Sequence, residues 1–210
     1  MKNIEIEKLL KEKLQDFPLN KKREQRVVGE ELEIKTKEIV KKEDPVNYKE
    51  PLTNRTIDDF TLVSNGRTHL YDVKSHFIQK KGGFSMPNLI SVKRLRDDVL
   101  MDESITLSYI FIHYEREEDG KVIIKDVYVK YIWELDWSIL RIGALGKGQL
   151  QIKNANKKFK DTKIGREKWF QELKKEVIAF YKKELPKMKD ECKTWDPKLK
   201  DDDFLCLFST

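Results

Sequence analysis

Asp59, Asp72 and Lys74 are the residues in this sequence whose types and spacing carry chemistry. Asp59 opens a short apolar run, residues 60–63, and Asn65-Gly66 follows it. That dipeptide favours a two-residue hairpin turn, because both of its positions tolerate positive φ. Residues 70–74 then form the returning strand. Side chains alternate along a strand, so Asp72 and Lys74 share one face and Tyr71 and Val73 the other. The turn brings Asp59 to the same end of the sheet. Two carboxylates suit Mg²⁺, a hard cation that keeps several of its waters. The cation binds a phosphate oxygen and lowers the pKa of a bound water. An adjacent ammonium either orients that water and stabilises charge growing on the phosphorus, or gives up its proton and acts as a base. This is the equipment of phosphodiester hydrolysis. Taken alone, Asp-x-Lys most often describes a surface ion pair. The hairpin and the upstream Asp59 are what favour a site.

Helices must frame this hairpin. Ile6, Leu9, Leu10, Leu14 and Phe17 form an apolar stripe that Pro18 ends. A second helix is expected over residues 23–42, with Val27, Val28, Leu32, Thr36, Ile39 and Val40 along one face. Residues 45–56 and 79–87 read as loops. A helix over residues 88–101 would present Leu89, Val92, Leu95 and Val99. Strands follow near residues 107–114 and 122–133, joined by a turn at Asp119-Gly120. Residues 141–148 hold Gly143, Gly146 and Gly148 and read as an exposed turn; residues 150–152 are a further strand. The last helix spans residues 166–185, with Trp169, Phe170, Leu173, Val177 and Tyr181 inward and Pro186 as its stop. This order predicts an α/β or α+β layered domain with a mixed central β-sheet flanked by helices. It is expected to be a single domain over residues 1–210: an N-terminal helix in 1–22, a catalytic core in 23–185 and a C-terminal tail in 186–210.

Composition narrows the setting. The 210 residues include 43 Lys and Arg against 37 Asp and Glu, a modest surplus of +6. It is compatible with a polyanionic partner and equally with a solvated surface. The two cysteines, Cys192 and Cys206, have no metal-type spacing and make no disulfide framework. They are expected to be reduced thiols in a cytoplasmic protein. No apolar run is long enough to span a membrane, and the N-terminus has no signal-peptide core.

The pattern Asp59…Asp72-Val73-Lys74 resembles the signature of the PD-(D/E)XK nuclease superfamily. The likeness is greater to type II restriction endonucleases of the HincII group. It includes Asp59-Phe60-Thr61-Leu62-Val63, Leu70-Tyr71-Asp72-Val73-Lys74 and Pro87-Asn88-Leu89-Ile90-Ser91. Upstream, Gly29-Glu30-Glu31-Leu32-Glu33 is similar to that group's Gly-Glu-x-x-Glu helix. Leu150-Gln151-Ile152 and Arg166-Glu167-Lys168-Trp169 are similar downstream. Asp58 stands where the superfamily often has Pro, and Asp59 is chosen over it by its spacing to Asp72.

The resemblance implies a restriction-endonuclease-like fold in which Asp59, Asp72 and the Val73 carbonyl coordinate Mg²⁺ and Lys74 positions the attacking water. It implies in-line attack leaving 5′-phosphates, and a short palindrome in double-stranded DNA, framed by GT and AC and cut bluntly. Glu30 is either an outer carboxylate of the site or a solvated helix residue. Cutting both strands is most simply done by a homodimer, and a cognate DNA methyltransferase is expected as partner in the same system. Alternatives are a repair nickase or junction resolvase of the same fold, or a non-catalytic DNA-binding module.

Phosphate contacts are expected from Lys80, Lys81, Lys93, Arg94 and Arg96, and from a second run of Lys153, Lys157, Lys158, Lys160 and Lys163. Phe84 or Met86 either wedges a base step or pins its loop to the core, while Ser85 and Asn88 are candidate base readers. Arg141 and Lys147 belong to a second candidate reading segment, and Gln149 and Gln151 are either readers or strand residues. His76, near Lys74, either meets a phosphate or, as the commoner case, is a plain surface residue, and Trp133 and Trp137 read as core.

Overall fold

The computed structural model describes residues 1–15, 25–51, 57–78, 88–118, 121–143, 148–153, 162 and 164–195. Lys80, Lys81, Phe84, Ser85, Met86, Lys147, Lys157, Lys158, Lys160, Lys163 and Cys206 lie outside them. So do the Asp119-Gly120 turn and the expected helix boundaries at Pro18 and Arg23.

The hairpin forms as its sequence predicts. Strand β2 (Phe60–Ser64) pairs antiparallel with β3 (Arg67–Phe77), and Asn65 and Gly66 take φ of 51° and 71° between them. β3 is the spine of the molecule, since its other edge pairs in parallel with β5 (Ile105–Arg116). With β1 (Tyr48–Lys49) and β6 (Val122–Tyr131), this gives a mixed five-stranded sheet in the order β1-β2-β3-β5-β6. β1 falls in the stretch expected to be loop. Its Tyr48 stacks on Phe60, which stacks on Tyr71, so one column of rings ties three strands together.

Helices α1 (Asn3–Lys13) and α2 (Gln25–Glu43) cover one face of this sheet. Ile6, Leu10, Val28 and Leu32 meet Tyr71, Val73, Ile110 and Ile112 there. Gly29 lets α2 come close, for a Cβ at that position would lie 2.8 Å from Ser75 Oγ. The other face packs against a second sheet of three strands, β4 (Asn88–Ser91), β7 (Leu140–Gly143) and β8 (Gln149–Ile152), in the order β4-β8-β7. Leu107, Tyr109 and Phe111 meet Leu150, Trp169 and Leu173 on this side. β5 thus buries side chains on both faces, as a central strand must.

Three expectations need correction. The helix expected over residues 88–101 begins as a strand, because Ile90 and Ser91 pair with Leu150 and Gln149 of β8. Only from Val92 does it turn helical, as α3 (Val92–Leu95) followed by a π-helical turn (Arg96–Leu100), with the Ser91 hydroxyl accepting the Arg94 N–H. Pro186 does not end the last helix: α4 (Gly165–Trp195) continues through it, and Tyr181 is exposed rather than inward. His76 is buried, not at the surface, because its ring packs against that of His113, its partner on β5. Trp133 and Trp137 pack against the second cluster as expected. Among the described residues, no helix is long and apolar enough to cross a membrane.

α4 is anchored by Trp169, which is fully buried and donates its indole N–H to the Leu135 carbonyl at 2.7 Å. Trp169→Ala leaves a large cavity and an unpaired carbonyl. It should lower stability by about 3–5 kcal/mol, measured by denaturant unfolding.

Candidate active site

β2 stops pairing at Phe60, one residue after Asp59, so the edge of β3 opens there. The Asp59 N–H donates to the Tyr71 carbonyl at 2.7 Å. Its carboxylate then takes the place a further strand residue would have, accepting the Val73 N–H at 2.6 Å. A residue's N–H and C=O point to the same side of a strand, so the Val73 carbonyl lies along this open edge as well. Asp58, the neighbouring candidate, accepts from the Thr61 hydroxyl at 2.7 Å instead.

Asp72 projects from the opposite face to Tyr71 and Val73, into a cleft between the two sheets. The cleft is about 340 Å³, and Asp58, Asp59, Asp72 and Lys74 form one wall. Leu89, Ile90, Ser91, Arg94 and Gln149 form the other. The Lys74 ammonium spans both oxygens of Asp72, at 2.7 and 2.8 Å. Burial pushes the Asp72 carboxyl up to about 8. The Lys74 charge opposes this and the neighbouring Asp59 carboxylate reinforces it. Two carboxylates and an amine therefore converge, as the spacing of the three residues suggests.

The other candidates divide. Arg94 and Gln149 line the cleft. Arg141, Gln151 and Asn88 form a hydrogen-bonded row across the three-stranded sheet. Arg141 donates to Gln151 at 3.1 Å, and Gln151 donates to Asn88 at 2.6 Å. Gly143, Gln149 and Ser91 form another row of that sheet, with Ile142, Leu150 and Ile90 between the two. The segment expected to be an exposed turn is thus in part a strand.

Lys93 is turned to a separate groove and pairs with Asp97, and Lys153 reaches the Trp137 and Ser138 carbonyls. Glu30 is not in the cleft lining; it is exposed and pairs with Arg26 at 2.9 Å. The α2 charge that feels Asp59 is Lys37, which is held by Glu33 at 2.9 Å. Burial works to lower the Lys37 pKa, and Glu33 with the nearby carboxylates outweighs it and raises it. Gly29 gives the signal for this pair. It marks the contact line of α2 on β3, and Glu33 lies one turn further along that line, whereas Glu30 is rotated away. Ser91 was also missed; its spacing to Arg94, as the cap of a short helix, is the clue in the sequence.

Asp59, Asp72 and the Val73 carbonyl would offer hard oxygen donors to a cation. Among the described residues no group of three His, Cys, Asp or Glu gathers around a common point. The set does not form an all-protein cage. It fits a cation that keeps most of its waters, as Mg²⁺ does, and such a cation would offset the burial and the Asp59 charge that together lift Asp72.

A mixed sheet with this cleft at the open end of its hairpin has the fold of a restriction endonuclease. The NlaIV restriction endonuclease shares it, with a TM-score of 0.50 and 18% identity over 75% of this chain and 72% of that one. A profile of the NgoBV restriction endonuclease family matches residues 4–201, and the chain belongs to that family. It is a type II restriction endonuclease, a site-specific nuclease whose substrate is DNA. No curated protein sequence matches it.

The folded pKa of Asp72, about 8, lies above its ordinary 3.8. Its contribution to stability is present below pH 3.8 and is lost as the pH rises through 8. His113 has the opposite sign: burial lowers it from 6.5 to about 4, so its contribution is lost as the pH falls across that interval. Above pH 6.5 only the Asp72 effect remains of these two. Thermal melts in chelator should therefore show the protein losing stability up to about pH 9, and Asp72→Asn should flatten the slope and stabilise the protein there by roughly 1–3 kcal/mol.

Proposed function

We propose that the chain is a Mg²⁺-dependent enzyme of the PD-(D/E)XK type, cutting both strands of a short palindrome as a homodimer. The observation that carries this reading is the convergence of Asp59, Asp72 and Lys74 in one cleft, with Asp72 bound by Lys74 at 2.7 Å. Asp59, Asp72 and the Val73 carbonyl would hold Mg²⁺. When bound, it supplies a Lewis acid for a phosphate oxygen and lowers the pKa of a water.

The residues of the chain do the rest. Lys74, paired with Asp72, lines the cleft that a phosphate would enter. There it orients the incoming water and offsets charge growing on the phosphorus. Arg94, beside Ser91 at the start of α3, supplies a cation to the DNA backbone from the opposite wall. Gln149, with the row Arg141-Gln151-Asn88, offers amide and guanidinium donors on the second sheet. Amides pair two-pronged with adenine and guanidinium groups with guanine, so this face is suited to reading bases. Water attack in line would leave a 5′-phosphate and a 3′-hydroxyl. A cognate methyltransferase would protect the host's own copies of the site.

Plasmid digestion with Mg²⁺ and end mapping tests all of this together. Both strands should be cut at a defined palindrome. A GT…AC-framed site with blunt ends is the outcome that likeness to HincII implies. Lys74→Ala and Asp59→Ala should each lower cleavage by about 10²-fold or more while specific DNA binding persists. Cleavage that survives Lys74→Ala, or that proceeds in chelator, would sink the reading. Nicking of one strand alone would replace it with a nickase.

A further inference from the structure

α4 carries an apolar stripe that no other described part of the chain buries. Its core-facing stripe is Trp169, Leu173 and Val177. A second begins at Ile178 and continues through Tyr181, Leu185, Met188 and Cys192, with spacings of three, four, three and four residues. This is the a/d spacing of a coiled-coil heptad, which puts a continuous seam along one side of a helix. Ile178, Tyr181, Leu185 and Met188 are 46, 41, 39 and 44% exposed. No residue from Tyr181 to Thr194 is buried. Pro186 stands inside this same stretch, where proline costs about 3 kcal/mol. In heptad terms it occupies position b, off the seam. A helical half with no buried side chain and an internal proline needs packing from outside to persist. At its upstream end the seam, at Ile178 and Tyr181, forms a wall of a groove of about 1190 Å³.

We propose that this seam pairs with the same seam of a second copy, as a parallel two-stranded coiled coil. The proposal rests on the homodimer reading above and names its interface. The flanking charges select the occupant and its direction. With Ile178 at a, the e positions are Lys182 and Lys189 and the g positions Glu184 and Glu191. A parallel copy places Glu184 beside Lys189 of the partner subunit, and symmetry makes that contact twice. An antiparallel copy sets Lys against Lys and Glu against Glu. The sequence thus favours its own parallel copy.

Sedimentation of the full chain, with and without DNA, tests the proposal. Wild type should run at twice the 25.0 kDa of one chain. Leu185→Lys with Met188→Lys should run as a monomer with unchanged tryptophan fluorescence, since both side chains are exposed and the body does not depend on them. Glu184→Lys and Lys189→Glu should each weaken the dimer by about tenfold, and the double variant should restore it. In a Cys206→Ser background, a short bis-maleimide should link Cys192 to its copy. An antiparallel pair centred on Leu185 would hold the two thiols about 20 Å apart and give no link.

A dimer that survives the double lysine variant would place the interface elsewhere, overturning this proposal and sparing the homodimer reading. A wild type that stays monomeric on DNA while cutting both strands would overturn both. A monomer whose Cys192 becomes alkylated only after residues 204–208 are removed would assign the seam to the chain's own C-terminal segment, and the proposal would fail.

Discussion

Asp72 is buried beside a second carboxylate, and the geometry of the cleft follows from that placement. Burial raises the energy of an ionised carboxylate, and a like charge nearby raises it further. Lys74 on the same strand face offsets part of this, and the protein without a cation resolves the rest by lifting the Asp72 pKa to about 8. Asp59 is held in place by the Val73 N–H. That bond is available only because β2 ends where it does: one more paired residue would occupy the β3 edge and close the site. The end of a strand is therefore as much a functional feature as the side chains around it.

The two sheets differ in construction. The five-stranded sheet is built for rigidity, with β5 buried on both faces and α1 and α2 packed behind it. It holds the acidic pair in a fixed relation. The three-stranded sheet opposite shows an apolar face, with Ile90 and Leu150 in the core, and a polar face carrying Arg141, Gln151 and Asn88. Hydrogen bonds along this row hold the amides in one orientation. Arg94 and Gln149 bring this second layer to the rim of the chemistry. The cleft is thus lined from both sheets.

Much of this was legible in the residues themselves. The turn at Asn65-Gly66, the alternation that puts Asp72 and Lys74 on one face, and the stripes of α1 and α2 are local properties, set by backbone sterics and by periods of about two or 3.6 residues. They identified the hairpin, the acidic pair and the lysine. The same rules misjudged residues 88–91, because apolar spacing there is compatible with a helix and only pairing with β8 makes it a strand. They misjudged Pro186 as well, since a helix can absorb a proline when other forces hold it. Glu30 could be read either as an outer carboxylate or as a solvated residue because sequence names a helix but not its rotation. Gly29 against Ser75 settles that rotation.

The sequence by itself determined which chemically able groups stand close together: two carboxylates and an amine, and the strand face that Asp72 and Lys74 share. Tertiary structure decided the setting of that chemistry. The second sheet as opposite wall, the burial that shifts Asp72, and the row from Arg141 to Asn88 depend on residues separated by tens of positions in the chain. The physical reason is range. Backbone preference and side-chain period act within a few residues, whereas burial, strand partners and the electrostatic environment exist only once distant segments have packed together.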